Sequence, residues 1–124
     1  MLQTIQQKRA EYALKKVQEA ANDLQLKKEK DEFKSYASAL PAMIHMNGLG
    51  QAAAFYKSQG GRHEHLYNLL SGWLTQDNQP YAGNDNLLDG IVNNNMHTYR
   101  LAQAEAQKLM TWVKMLAKAY ITGE

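Results

Sequence analysis

The strongest constraint on this chain lies toward its C-terminus. Tyr99, Ala102, Ala106, Leu109, Val113, Leu116 and Tyr120 recur at alternating steps of three and four residues. Such steps collect apolar side chains on one face of a helix of 3.6 residues per turn, a seam able to pack a second helix. Period-two alternation rich in β-branched residues, the mark of a half-buried strand, appears nowhere in the sequence. The 124 residues are therefore expected to form an all-α fold. It should be a single compact bundle of about five to six helices over residues 1–124, with two short central helices.

The remaining segments supply helices for that seam. Ala10, Ala13, Val17, Ala20, Ala21 and Leu24 share one arc of a first helix over about residues 2–26. Lys8, Arg9, Tyr12, Lys15 and Lys16 share the adjoining arc. After the charged run KKEKDEFK, Phe33, Tyr36, Ala37 and Leu40 carry the spacing of a second helix. Pro41 should end, kink or restart it, because proline has no N–H and disfavours α geometry at Leu40. A third helix over about residues 42–58 stops at Gly60-Gly61. HEHLYNLLSGWL and LLDGIVN read as short helices. The polar stretch TQDNQPYAGND between them has turn chemistry, so a mobile loop is expected at about 75–86.

Several chemistries are excluded or unsupported. With no cysteine there can be no disulfide, iron–sulfur cluster or thiol nucleophile. The start lacks an apolar signal core, and no run approaches a membrane span, so a cytoplasmic protein with no membrane contact is expected. His63 and His65, two residues apart, diverge on a helix, and His45 and His97 lack acids at ligand-like offsets. The run from Asp77 to Asp89 fails as a calcium loop: Gln79 and Tyr81 hold ligand positions, and no glutamate closes it. GLG at 48–50 lacks the lysine and preceding strand of a phosphate loop. No metal, no cofactor and no catalytic group is therefore expected, and the chain is not read as an enzyme.

Charge is informative through its placement. The net charge is only +2, but residues 33–63 hold Lys34, Lys57 and Arg62 and no acid, whereas residues 64–99 hold four acids and no Lys or Arg. That asymmetry suits a groove for an anion beside a face for a basic neighbour, and equally suits ordinary solvated faces. The arc of Lys8, Arg9, Tyr12, Lys15 and Lys16 suits a nucleic-acid backbone. Pairs such as Lys15–Glu19 would make the same arc a solvated face.

One stretch remains, LPAMIHMNGLGQAAAFYKSQGG at 40–61. Gly48 and Gly50 interrupt an otherwise helical run, where each should cost about 0.5–1 kcal/mol relative to alanine. A close helix crossing, where a missing Cβ lets backbones approach, would explain them.

This stretch resembles the signature of the small α-helical subunit of the type III-B CRISPR effector, the Cmr complex. Its most specific part is Asn47-Gly48-Leu49-Gly50-Gln51 after the Leu40-Pro41 pair. The order of helices agrees along nearly the whole chain, including a closing helix with Trp112. The resemblance implies a non-catalytic subunit of an RNA-guided antiviral ribonucleoprotein. Its partners would be the backbone and large subunits, copies of itself in a stack, and guide and target RNA. On that reading Lys8, Arg9, Lys15, Lys16, Lys57 and Arg62 are the expected backbone contacts, while Pro41 and residues 47–51 form a structural motif. A helical protein-interaction module with no nucleic-acid role is the alternative.

Overall fold

The computed structural model describes residues 3–121, and these form six helices in chain order. They are α1 (Ile5–Asp23), α2 (Lys27–Asn47), α3 (Leu49–Gln59), α4 (Gly61–Leu74), α5 (Leu87–Asn93) and α6 (Met96–Tyr120). No strand occurs among the described residues.

Local chemistry explains the starts of three helices. Thr4 opens α1 with a capping box: its hydroxyl accepts from the Gln7 N–H at 3.1 Å while its own N–H donates to the Gln7 side chain at 2.8 Å. Asn86 and Asn95 cap α5 and α6 by accepting from the Asp89 and Thr98 N–H groups, each at 2.9 Å.

The expected break at Pro41 does not occur; α2 runs through it to Asn47. A mid-helix proline costs about 3 kcal/mol. Leu40 and Ile44, one on each side of it, are fully buried, and side chains of that size contribute about 1.5–3 kcal/mol each. Continuity of the buried face therefore outweighs one lost backbone bond. The chain instead breaks at Gly48, whose φ of +86° and ψ of 157° suit glycine alone. So Gly48 is not inside a helix at all. It ends α2 and starts α3, and the third helix begins at Leu49 rather than near residue 42.

A core unites the helices. α6 packs along both α1 and α2, and the α3–α4 hairpin lies against α2. Ala13, Val17 and Ala20 of α1, Phe33, Ala37, Leu40 and Ile44 of α2, and Ala102, Ala106, Leu109 and Val113 of α6 are buried. Alanines on both α1 and α6 let those helices approach closely. Of the expected seam, Tyr99 and Leu116 are partly buried, whereas Tyr120 is half exposed where α6 ends. Met110 and Ala117 complete the seam.

The polar segment after α4, expected to be a mobile loop, is a series of anchored turns. Tyr81 is fully buried within it, and its N–H donates to the Leu74 carbonyl at 3.0 Å. Gly90 of α5 sits over that ring so closely that a Cβ there would lie 2.5 Å from it. An apolar ring inside a polar stretch thus ties the segment to the core.

Candidate nucleic-acid interface

The basic arc of α1 divides into two classes once the helix is packed. Lys8 and Lys15 are exposed, and neither is in an ion pair among the described residues. Both line a groove of about 640 Å³ between α1 and the turns after α4, together with Glu11, Tyr12, Asp77 and Gln79. Lys16 pairs with Glu19 at 3.5 Å and lies 5.6 Å from the Tyr12 ring centre. The expected pairing of Lys15 with Glu19 is replaced by this one. Tyr12 points inward: its hydroxyl donates to the Leu69 carbonyl at 2.6 Å and its ring leans on Trp73. Burial pushes that phenol well above its usual range.

Arg9 does not belong to the surface at all, which corrects its assignment as an RNA contact. Only 4% of it is exposed, and its guanidinium grips Glu105 of α6 through Nε and through Nη2 at 2.8 Å. The indole N–H of Trp73 donates to the same carboxylate at 2.9 Å. Burial pushes the Glu105 carboxyl up, but the hydrogen bonds from Arg9 and Trp73 outweigh it and hold its pKa below the ordinary value. The hydrogen bond to Glu105 raises the Arg9 pKa in turn. Both donor faces of the guanidinium used here are spent, so no phosphate can reach them.

The second predicted basic group is also partly answered in space. Lys57 donates to Glu64 at 2.8 Å, across the boundary between the acid-free and acidic stretches. That hydrogen bond raises the Lys57 pKa. Arg62 is half-buried and borders a shallow depression with Glu64 and His65. The neighbouring histidines pack as aromatic rings. His63 stacks on Tyr36 with centroids 3.7 Å apart, and His65 leans on Phe33. Burial lowers the pKa of both.

The structural motif resolves into two halves. The Leu49 N–H donates to the Gln103 side chain at 2.9 Å and the Gly50 N–H to the Tyr99 hydroxyl at 2.9 Å. The start of α3 is therefore capped by α6 rather than by a neighbouring residue. Leu49 is fully buried, and a Cβ on Gly48 would stand 3.1 Å from that hydroxyl. Pro41 lies on the adjoining α2–α6 contact, its carbonyl accepting from Gln107 at 3.1 Å. Asn47 and Gln51, by contrast, are exposed.

One basic surface escaped the sequence reading. Within α6, Arg100, Lys108, Lys114 and Lys118 stand against a single acid, Glu105, and that acid is held by Arg9. Counting charge helix by helix, rather than by stretches of chain, would have exposed the excess. The identity of Glu105's partner would not have been found that way.

Comparison with known proteins bears on the whole chain. The family model described as CRISPR-associated protein (Cas_Cmr5) matches residues 5–120. The fold is similar to the crystal structure of a CRISPR-associated Cmr5 family protein from Thermus thermophilus, with a TM-score of 0.79 and 27% sequence identity. That match covers 97% of this chain and 100% of the other. The chain belongs to the Cmr5 family of CRISPR-associated proteins.

Proposed function

We propose, from that membership, that the chain is a non-catalytic small subunit of a type III-B CRISPR ribonucleoprotein in the cytoplasm. Copies of it stack along the complex, beside the backbone and large subunits, and line the channel for guide and target RNA in antiviral defence. The observation that carries the RNA role is the pair of exposed cations Lys8 and Lys15, without an ion-pair partner among the described residues, on one side of a capped, well-packed helix. Lys16 adds to them across its long contact with Glu19. Lysines held this way neutralise phosphates without reading bases, which suits a channel that must accept any target. Lys57 and Arg62 form a weaker second patch, because Glu64 already answers Lys57.

The test is reconstitution of the effector with the chain present, absent, or carrying Lys15→Glu with Lys16→Glu. Target-RNA affinity should fall on omission and fall less on charge reversal, with circular dichroism showing an intact fold. Undiminished target binding without the subunit would remove the RNA-lining role.

The protein-interaction reading draws on a different surface. Met46, Val92 and Met96 are 79%, 77% and 61% exposed, and large exposed apolar side chains suit protein contacts. Salt separates the two readings, since phosphate contacts weaken steeply as salt rises and apolar contacts do not.

A further inference from the structure

The uncovered cations of α6 do not lie at random. The Gln107–Pro41 hydrogen bond joins α6 to α2, and Gln103 lies beside Gly48 where α2 ends, so the two helices run antiparallel. A step of seven residues returns to nearly the same helix face, drifting by about 20°. Lys34 stands seven residues before Pro41 on α2, and Lys114 stands seven residues after Gln107 on α6. In antiparallel helices both offsets run toward the same end of the seam. Arg100 lies seven residues before Gln107, and Lys118 one turn beyond Lys114.

Arg100 and Lys118 mark the ends of this line, separated by about 27 Å at 1.5 Å per residue. Between Arg100 and the lysines the edge is neutral, with Pro41, Gln103 and Gln107. None of the four cations is in an ion pair among the described residues. The nearby acid Asp31 pairs with Lys27 at 2.7 Å and feels the charge of Lys34 only at longer range, and Glu105 is held by Arg9 on the opposite flank. Like charges gathered along one edge of a seam repel one another until an anion lies beside them. A chain of phosphates spaced along the seam matches that pattern better than a single small anion.

We infer that the outer edge of the α2–α6 seam, carrying Lys34, Arg100, Lys114 and Lys118, is a second track for an RNA backbone. It lies on a different flank of the bundle from Lys8 and Lys15. The inference rests on the RNA-lining reading above and names a surface that reading does not use. Two tracks on one subunit would hold two strands, or two successive segments of one strand.

Fluorescence anisotropy of the full chain with a labelled 20-nucleotide single-stranded RNA at low salt tests it. The comparison sets Lys34→Glu with Lys114→Glu against Lys8→Glu with Lys15→Glu. The seam variant should bind at least about tenfold more weakly, and its dependence on salt should flatten by about 1.4 in log–log slope, the value for two lost single-strand phosphate contacts. Lys34→Gln with Lys114→Gln, which introduces no acid, should show the same flattening and guards against a folding defect. If both seam variants bind as wild type while the α1 variant weakens, the second track is wrong and the RNA-lining reading stands. If neither surface alters binding, and the effector also binds target undiminished without the subunit, both fall.

Discussion

The two flanks of α6 differ sharply in how they treat charge. Toward α1, Glu105 is sequestered with Arg9 and Trp73 in a nearly dry ion pair. Toward α2, the helices meet through neutral groups, the Gln107 amide and the Pro41 carbonyl, and the cations stay at the edge. One flank thus consumes the sole acid of the helix to lock the bundle. The other is left with positive charge that the fold does not use. The difference teaches that a subunit of net charge +2 can still present a locally basic edge, because the sole acid of α6 is engaged on the other flank.

The contrast breaks first at Arg9. Arg9→Ala leaves the Glu105 carboxylate buried without its partner and should destabilise by about 3–5 kcal/mol in urea unfolding. A midpoint close to wild type would show the pair to be dispensable. The same pair gives the protein an acid limit. Because the folded pKa of Glu105 is depressed, its contribution is complete above the unfolded carboxylate range near pH 4.3 and is lost as pH falls through the folded value. Thermal melts of wild type and Glu105→Gln should therefore converge as the solution is acidified, and parallel curves would exclude this linkage.

The α2 flank should yield smaller effects. Gly48→Ala places a side chain at φ +86° and 3.1 Å from the Tyr99 hydroxyl, at a cost of about 1–3 kcal/mol. Tyr99→Phe removes only the hydroxyl that caps the Gly50 N–H, and should cost about 1 kcal/mol. If Tyr99→Phe proves the more damaging of the two, strain at Gly48 is not what defines the junction. Lys114→Ala sharpens the comparison from the other side. Its stability should stay within about 0.5 kcal/mol of wild type, so a large loss would mean that this cation serves the fold and is not spare.

Much of the architecture was legible in the sequence for a local reason. The three-four spacing of α6 is written in neighbouring residues; the caps at Thr4, Asn86 and Asn95 are equally local but emerged only with the structure. The NGLG motif likewise marked the family and the position of a special backbone, although its glycines were read as interior to a helix. The helical arc gathered Lys8 and Lys15, which are exposed, together with Arg9 and Tyr12, which are not free at the surface, so the arc alone did not separate them.

What the sequence by itself determined, then, is an all-α chain with its helices in order and no strand pattern; that the break falls at Gly48 was decided by the packed structure. Tertiary structure alone decided which charges remain available. Arg9 and Lys8 are adjacent in sequence and both basic, but Arg9 meets an acid 96 residues away and is buried, while Lys8 faces a groove. It also decided that Pro41 would be tolerated and that Tyr81 would anchor a polar segment. Periodicity reports the geometry of a few turns, whereas desolvation and ion pairing depend on which distant side chain packing brings within about 4 Å.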